Sequence, residues 1–177
     1  MALTSANVRV GVSGVISVAP TATTAPTDAS TALAVGFLAM GYVSDTVVTE
    51  TIDRSTNDIH GWQNGDTVRT VLTDSKVTYK FSLIETSKAT IEFAYGTTVT
   101  QSAPMGTYTI NAGTTGGRKS FVLDVIDGAN LKRIYVAEAE VTELGDTTYA
   151  SGEAVGYDVT LTCYTAPVVF DTALKTP

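Results

Sequence analysis

Val77-Thr-Tyr-Lys-Phe-Ser-Leu83 and Val155-Gly-Tyr-Asp-Val-Thr-Leu-Thr-Cys163 carry apolar side chains at every second position. In the first, Val77, Tyr79, Phe81 and Leu83 alternate with Thr78, Lys80 and Ser82. In the second, Val155, Tyr157, Val159, Leu161 and Cys163 stand against Asp158, Thr160 and Thr162. Successive side chains of a strand point to opposite faces, so this period of two predicts strands with one face to bury and one polar face. Tyr135, Ala137, Ala139 and Val141 oppose Glu138, Glu140 and Thr142 in the same way. Phe121 to Ile126 reads as a strand buried on both faces, and Val8, Val10 and Val12 open another that runs to Val18.

The composition generalises this pattern. Thr occurs 31 times and Val 21 times, so 52 of 177 positions hold one of two β-branched types that pack well on a pleated surface. Fifteen glycines punctuate them, which predicts a mainly β chain of short strands. The length suits one domain, and 44% hydrophobic residues with a mean hydropathy of +0.15 can bury a core. A net charge of −7 opposes binding to a polyanion by phosphate neutralisation. The lone Cys163 has no intramolecular disulfide partner and reads as a small strand hydrophobe. Two uncharged stretches, 10–27 and 29–44, are broken by Gly, Pro and Ser or too short to span a bilayer, so an unprocessed, soluble chain is expected.

Between the strands, Ala19-Pro-Thr-Ala-Thr-Thr-Ala-Pro-Thr-Asp28 offers almost nothing to bury and reads as an extended arm. Ala32 to Val43 is apolar enough to dock on the fold. Residues 53–66, with the only His and the only Trp, read as a turn-rich loop. Thr86 to Gly96 is a strand by its Ile91, Phe93, Tyr95 alternation, or a two-turn helix with Thr86 or Ser87 as N-cap and Gly96 at its end.

No catalytic set emerges. A triad or His-rich metal site would have to be built around His60, whose loop neighbours are Gly61 and Trp62. Asp53, Ser55 and Asn57 resemble a calcium loop, but Asp58 replaces the sharp-turn Gly and Asn64 the bidentate Glu. Gly113-Thr-Thr-Gly-Gly-Arg-Lys119 lacks the Gly-Lys-Ser/Thr ending of a phosphate loop and reads as a glycine hairpin. Glu138 and Glu140 read as a solvated strand face. No enzyme activity and no cofactor are expected.

The order of the motifs is informative. Phe37-Leu-Ala-Met-Gly-Tyr-Val-Ser-Asp45, Ile59-His-Gly-Trp62, Thr67-Val-Arg-Thr-Val71, Phe81-Ser-Leu-Ile-Glu85 and Ala94-Tyr-Gly96 together resemble the major tail tube proteins of long, non-contractile phage tails. The resemblance is carried by residues 33–96 and continues elsewhere as β character. It implies a tail-tube-type β-sandwich or partly closed barrel, flanked by one short helix over residues 86–95. It also implies a division into an N-terminal strand and extended assembly arm (1–35) and a tail tube domain (36–177).

By the same resemblance, six copies form a ring and rings stack into a hollow tube through which DNA passes without specific binding. The partners implied are the chain itself and tape-measure, tail-tip and tail-terminator proteins, with no membrane. The place implied is the virion tail, assembled in the host bacterial cytoplasm. Arm residues Pro20, Thr23, Pro26 and Asp28 and loop residues Tyr42, Asp45, His60 and Trp62 are the expected inter-subunit contacts. Glu138, Glu140, Thr142, Asp158, Thr160 and Thr162 are the expected lumen wall, since each set is the polar face of an alternating strand. Removing residues 1–30 is expected to leave the domain folded. A carbohydrate-binding or adhesin-like β-sandwich and another virion component, such as a capsid decoration protein, share the composition.

Overall fold

The computed structural model describes residues 8–45 and 48–174. The strands are β1 (Ser13–Pro20), β2 (Leu38–Ala39), β3 (Thr49–His60), β4 (Thr67–Leu83), β5 (Thr100–Ser102), β6 (Met105–Thr107), β7 (Lys119–Asp127), β8 (Asn130–Leu144), β9 (Tyr157–Cys163) and β10 (Val168–Asp171). One α-helix, α1 (Lys88–Tyr95), follows β4, and a 3₁₀ turn, Thr172–Leu174, follows β10. The main sheet is antiparallel in the order β2-β1-β7-β8-β9-β4-β3, and β10 pairs with the first half of β8. β5 and β6 form a separate ribbon. Among the described residues the chain is mainly β with one helix, as the β-branched composition requires.

The sheet curls strongly. β8 and β9 lie between β7 and β4, which would set those two strands about 14 Å apart on a flat sheet. Yet the Phe121 ring lies 5.6 Å from Tyr79 and 5.9 Å from Phe81, centroid to centroid. The strap formed by residues 38–44 spans what remains open. At one end Leu38 pairs with Val18, and the Met40 N–H donates to the Ile16 carbonyl at 2.9 Å. At the other end Val43 bridges Leu83, and the Tyr42 carbonyl accepts from the Ile84 N–H at 3.0 Å. Met40 to Tyr42 can span only about 10 Å, whereas β1 and β4 would be about 19 Å apart in a flat sheet. The result is a partly closed barrel, sandwich-like in that its two halves face each other across Ile16, Phe81, Phe121, Val136 and Leu161, all buried.

Helix α1 covers one opening of this core. The Ser87 hydroxyl accepts the Thr90 N–H at 3.2 Å as N-cap, and Gly96 ends the helix at φ +61°. The buried Thr90 hydroxyl donates to the Met40 carbonyl, tying helix to strap, and Phe93 stacks on Phe81 at 6.5 Å. This resolves the 86–96 segment in favour of the helix. A Cβ at position 96 would stand 2.3 Å from the Gly116 nitrogen, so close approach adds to the conformational need for glycine.

Three local readings are corrected. Residues 53–60 belong to β3, so the turn is confined to 61–66; no face there is buried and no alternation advertises the strand. In β8 a bulge opposite Ser120 (Lys119 pairs with Ala139, Phe121 with Val136) moves the core side from Ile134 and Val136 to Ala139 and Val141. Tyr135 and Ala137 therefore do not share a face with Val141. The Gly113–Lys119 stretch is a connecting loop into β7, not a hairpin, because β6 pairs only with β5.

The N-terminal segment is built into the fold. β1 pairs along its whole length with β7 and buries Ile16, Val18 and Ala19. Removing residues 1–30 would strip a core strand from β7, which corrects the expectation that they are dispensable to folding. Beyond β1, the chain is pinned by Arg133, buried beside its cross-strand partner Asp124. The guanidinium grips the Asp124 carboxylate through Nε at 2.6 Å and Nη2 at 3.0 Å, and Nη1 donates to the carbonyls of Asp28 and Thr31. All three hydrogen-bonding nitrogens are thereby satisfied.

Two substitutions test this architecture by urea denaturation. Arg133→Ala leaves the largely covered Asp124 carboxylate and two carbonyls without their donor, and is expected to cost about 3 kcal/mol. Gly96→Ala forces a left-handed, backbone-crowded site onto a Cβ and is expected to cost about 2 kcal/mol or more. Wild-type midpoints would contradict the packing described.

Candidate assembly surfaces

β3 and β4 continue well past the core as a two-stranded hairpin. Residues 52–60 and, apart from half-buried Val71, residues 67–76 are exposed on both faces. The ladder between them is reinforced by the Thr70 hydroxyl donating to Asp58 at 2.6 Å and the Thr73 hydroxyl donating to the Ser55 carbonyl. At the tip Asn64 (φ +64°) and Gly65 (φ +70°) take the left-handed conformation these residues tolerate best. Ile52, Ile59, Trp62, Val68 and Leu72 all face water on it. An isolated hairpin is marginally stable, and these apolar groups leave it with an exposed apolar surface.

The expected inter-subunit residues fall in separate places. Pro20 ends β1, its carbonyl accepting the Thr23 N–H at 3.0 Å. Pro26 is half-buried. Asp28 caps its own turn: its carboxylate accepts the Thr31 and Ser30 hydroxyls and both their N–H groups. Those hydrogen bonds, Thr31's first, hold its carboxyl far below the usual carboxylate range. Stability linked to this depressed group is complete above the ordinary carboxylate range and is lost as the pH falls below that range towards the group's lowered value. Tyr42 lies exposed on the strap and Asp45 exposed just past its end, while His60 and Trp62 sit at the hairpin tip.

The six expected wall residues do share the outer face of β8 and β9, opposite Ala139, Val141, Val159 and Leu161. The Thr142 and Thr162 hydroxyls meet at 2.7 Å, and Thr162 is buried. Glu138 is ion-paired with Arg118 at 2.6 Å, and the Arg118 guanidinium lies over the Tyr164 ring. The Thr115 hydroxyl donates to Glu140. Asp158 and Thr160 line a groove of about 320 Å³ with Glu143 and Lys80. The sequence reading missed Arg118, Thr115, Glu143 and Lys80 as members of this face; Lys80 was visible in its own alternating strand, the others needed the pairing.

Chemistry elsewhere is sparse. Burial, with the nearby Glu50 charge, pushes the Cys163 thiol up to about 11 and keeps it protonated at neutral pH. Burial, then a hydrogen bond to Glu50 at 2.6 Å, raises the Tyr79 phenol. His60 lies 3.1 Å from the Gly65 carbonyl, in the turn. Among the described residues no cluster of His, Cys, Asp or Glu is placed to hold a metal ion, and no helix is long and apolar enough to cross a membrane.

No curated protein matches the chain. Among solved structures it is similar to the sheath/tube terminator of an extracellular contractile injection system in its extended state (11% identity, 88% of this chain and 91% of that one, TM-score 0.49). It is also similar to a chain of the anti-feeding prophage baseplate (12% identity, 96% and 97%, TM-score 0.46) and to one of the native gene transfer agent virion (12% identity, 77% and 88%, TM-score 0.43). A sequence profile described as phage tail tube protein matches residues 1–172, a span that includes every strand of the curled sheet. The chain therefore belongs to the phage tail tube proteins, structural components of the phage tail.

Proposed function

We propose that this subunit closes into six-membered rings, that the rings stack into a hollow tube, and that the tube conducts DNA to the host. The observation that carries this reading is the β3–β4 hairpin, which exposes apolar side chains on both faces and touches no core of its own. Cover from a neighbouring copy would supply what the isolated hairpin lacks. Tube growth from a tail-tip complex along a tape-measure protein, ending at a terminator in the host cytoplasm, is part of the same proposal, and membership of the tail tube family supports it.

The outer face of β8 and β9 suits the channel wall. Glu138, Glu140, Glu143 and Asp158 outnumber Arg118 and Lys80 there, and Thr142, Thr160 and Thr162 supply neutral hydroxyls. A wall rich in unpaired cations would neutralise phosphates, release counterions and hold the DNA in transit. Like charge on wall and cargo avoids that trap. Pro20, Thr23, Pro26 and Asp28 would then lie at a subunit boundary with Tyr42 and Asp45.

Concentrated protein is expected to form six-fold rings or tubes without any cofactor, seen by negative-stain microscopy; a strictly monomeric species by light scattering at every concentration and salt level would refute this. Glu140→Lys with Asp158→Lys should still give tubes, since exposed charges add little to folding, while phage carrying both should deliver DNA at least tenfold less efficiently. Unchanged delivery would remove this face from the channel.

A further inference from the structure

Trp62 is the only tryptophan and is 98% exposed at the hairpin tip. A Trp side chain can bury about 150–250 Å², and buried Trp anchors dominate many interfaces. A matching recess lies at the opposite end of the strand order. There the β1–β2 edge and α1 leave a groove of about 540 Å³, floored by buried Met40 and Phe93 and flanked by Pro20, Leu38 and Ala89, with Lys119 among its lining. Its floor is apolar, Glu92, Thr97 and Thr98 also line it, and its volume has room for an indole.

The charges complement each other. Within the groove, Glu92 is engaged by Lys88 at 3.8 Å and by the Val99 N–H at 2.9 Å. Lys119 has no ion-pair partner among the described residues, so it is the groove's free cation. Asp66, which closes the tip turn by accepting the Gly61 N–H on its carbonyl, likewise has a carboxylate without an ion pair. The knob is therefore an indole beside an acid, and the slot is apolar beside a base.

We propose that Trp62 of one subunit seats in the groove between β1–β2 and α1 of a neighbouring copy, with Asp66 brought to Lys119. This rests on the tube-forming reading above and names its contact. Knob and slot are different patches, so each subunit gives one and receives one, and in the proposed ring or stack the contact is head-to-tail and repeats from copy to copy. The hairpin overhang of nine residues from Ile52 to His60 extends about 30 Å, enough to reach over an adjoining subunit.

The single tryptophan makes the test direct. As wild-type protein assembles, Trp62 emission is expected to shift to the blue and its quenching by acrylamide to fall several-fold. Trp62→Ala should keep the wild-type circular dichroism and melting temperature but raise the concentration needed for assembly at least tenfold. Ala89→Arg, which fills the slot, should also block assembly and leave Trp62 emission water-like at every concentration. Asp66→Lys and Lys119→Glu should each weaken assembly, and the double exchange should restore most of it. Tubes in which Trp62 stays as quenchable as in the monomer, or normal tubes from Trp62→Ala, overturn this contact while leaving the tube reading intact. A wild-type protein that never assembles overturns both.

Discussion

The contact on which the rest of the subunit depends is the meeting of Tyr79, Phe81 and Phe121 across the inside of a curled sheet. Aromatic pairs of this kind contribute about 0.5–1.5 kcal/mol beyond their buried area, but the geometric consequence matters more. Rings borne by β4 and β7 can touch only if the intervening β8 and β9 bend, and that bend brings β1 and β4 near enough for residues 38–44 to strap them together. The strap then presents the Met40 carbonyl to Thr90 and so positions α1 over the opening. Core, closure and helix are one cooperative arrangement.

Polar side chains lock what the aromatic core shapes. Arg133 reads both a neighbouring strand, through Asp124, and the turn at Asp28 to Thr31. A buried pair of this kind adds specificity of position more than net stability, because desolvation offsets most of its attraction. Its effect is to bind a Pro- and Thr-rich segment, which has little to bury, to one place on the sheet.

Where one face of a strand is buried and the other wet, alternation made it legible: β4 from Val77, β9, and the core and polar sides of β8 from Glu138 to Thr142. Two kinds of feature escaped. The outer half of the β3–β4 hairpin has no buried face, so its Asp, Ser, Thr and Asn residues look like a loop although a ladder of backbone hydrogen bonds holds them. The bulge in β8 inverts the faces midway, which no periodicity can announce. Helix α1 was ambiguous by pattern and became readable through Ser87 and Gly96 only with the family's motif order. Glu138 and Glu140 were placed on the correct side, but their engagement by Arg118 and Thr115 depends on a loop whose course the sequence does not reveal.

The same absence of a buried face bears on assembly. Ordering a residue costs about 1–2 kcal/mol in backbone entropy, and a two-stranded ribbon without a core recovers little of it alone. The hairpin is therefore the part of the subunit whose order is most coupled to a partner, whereas the curled sheet stands by itself. In the proposed assembly, a neighbour would add the missing hydrophobic cover and fix the ribbon in one step, and a preformed ring would offer that cover already in place. On that proposal, growth on an existing end would be favoured over spontaneous pairing in solution. The division of the chain into a barrel with its own core and a hairpin without one would suit a subunit that, as proposed, joins a growing tube through that hairpin.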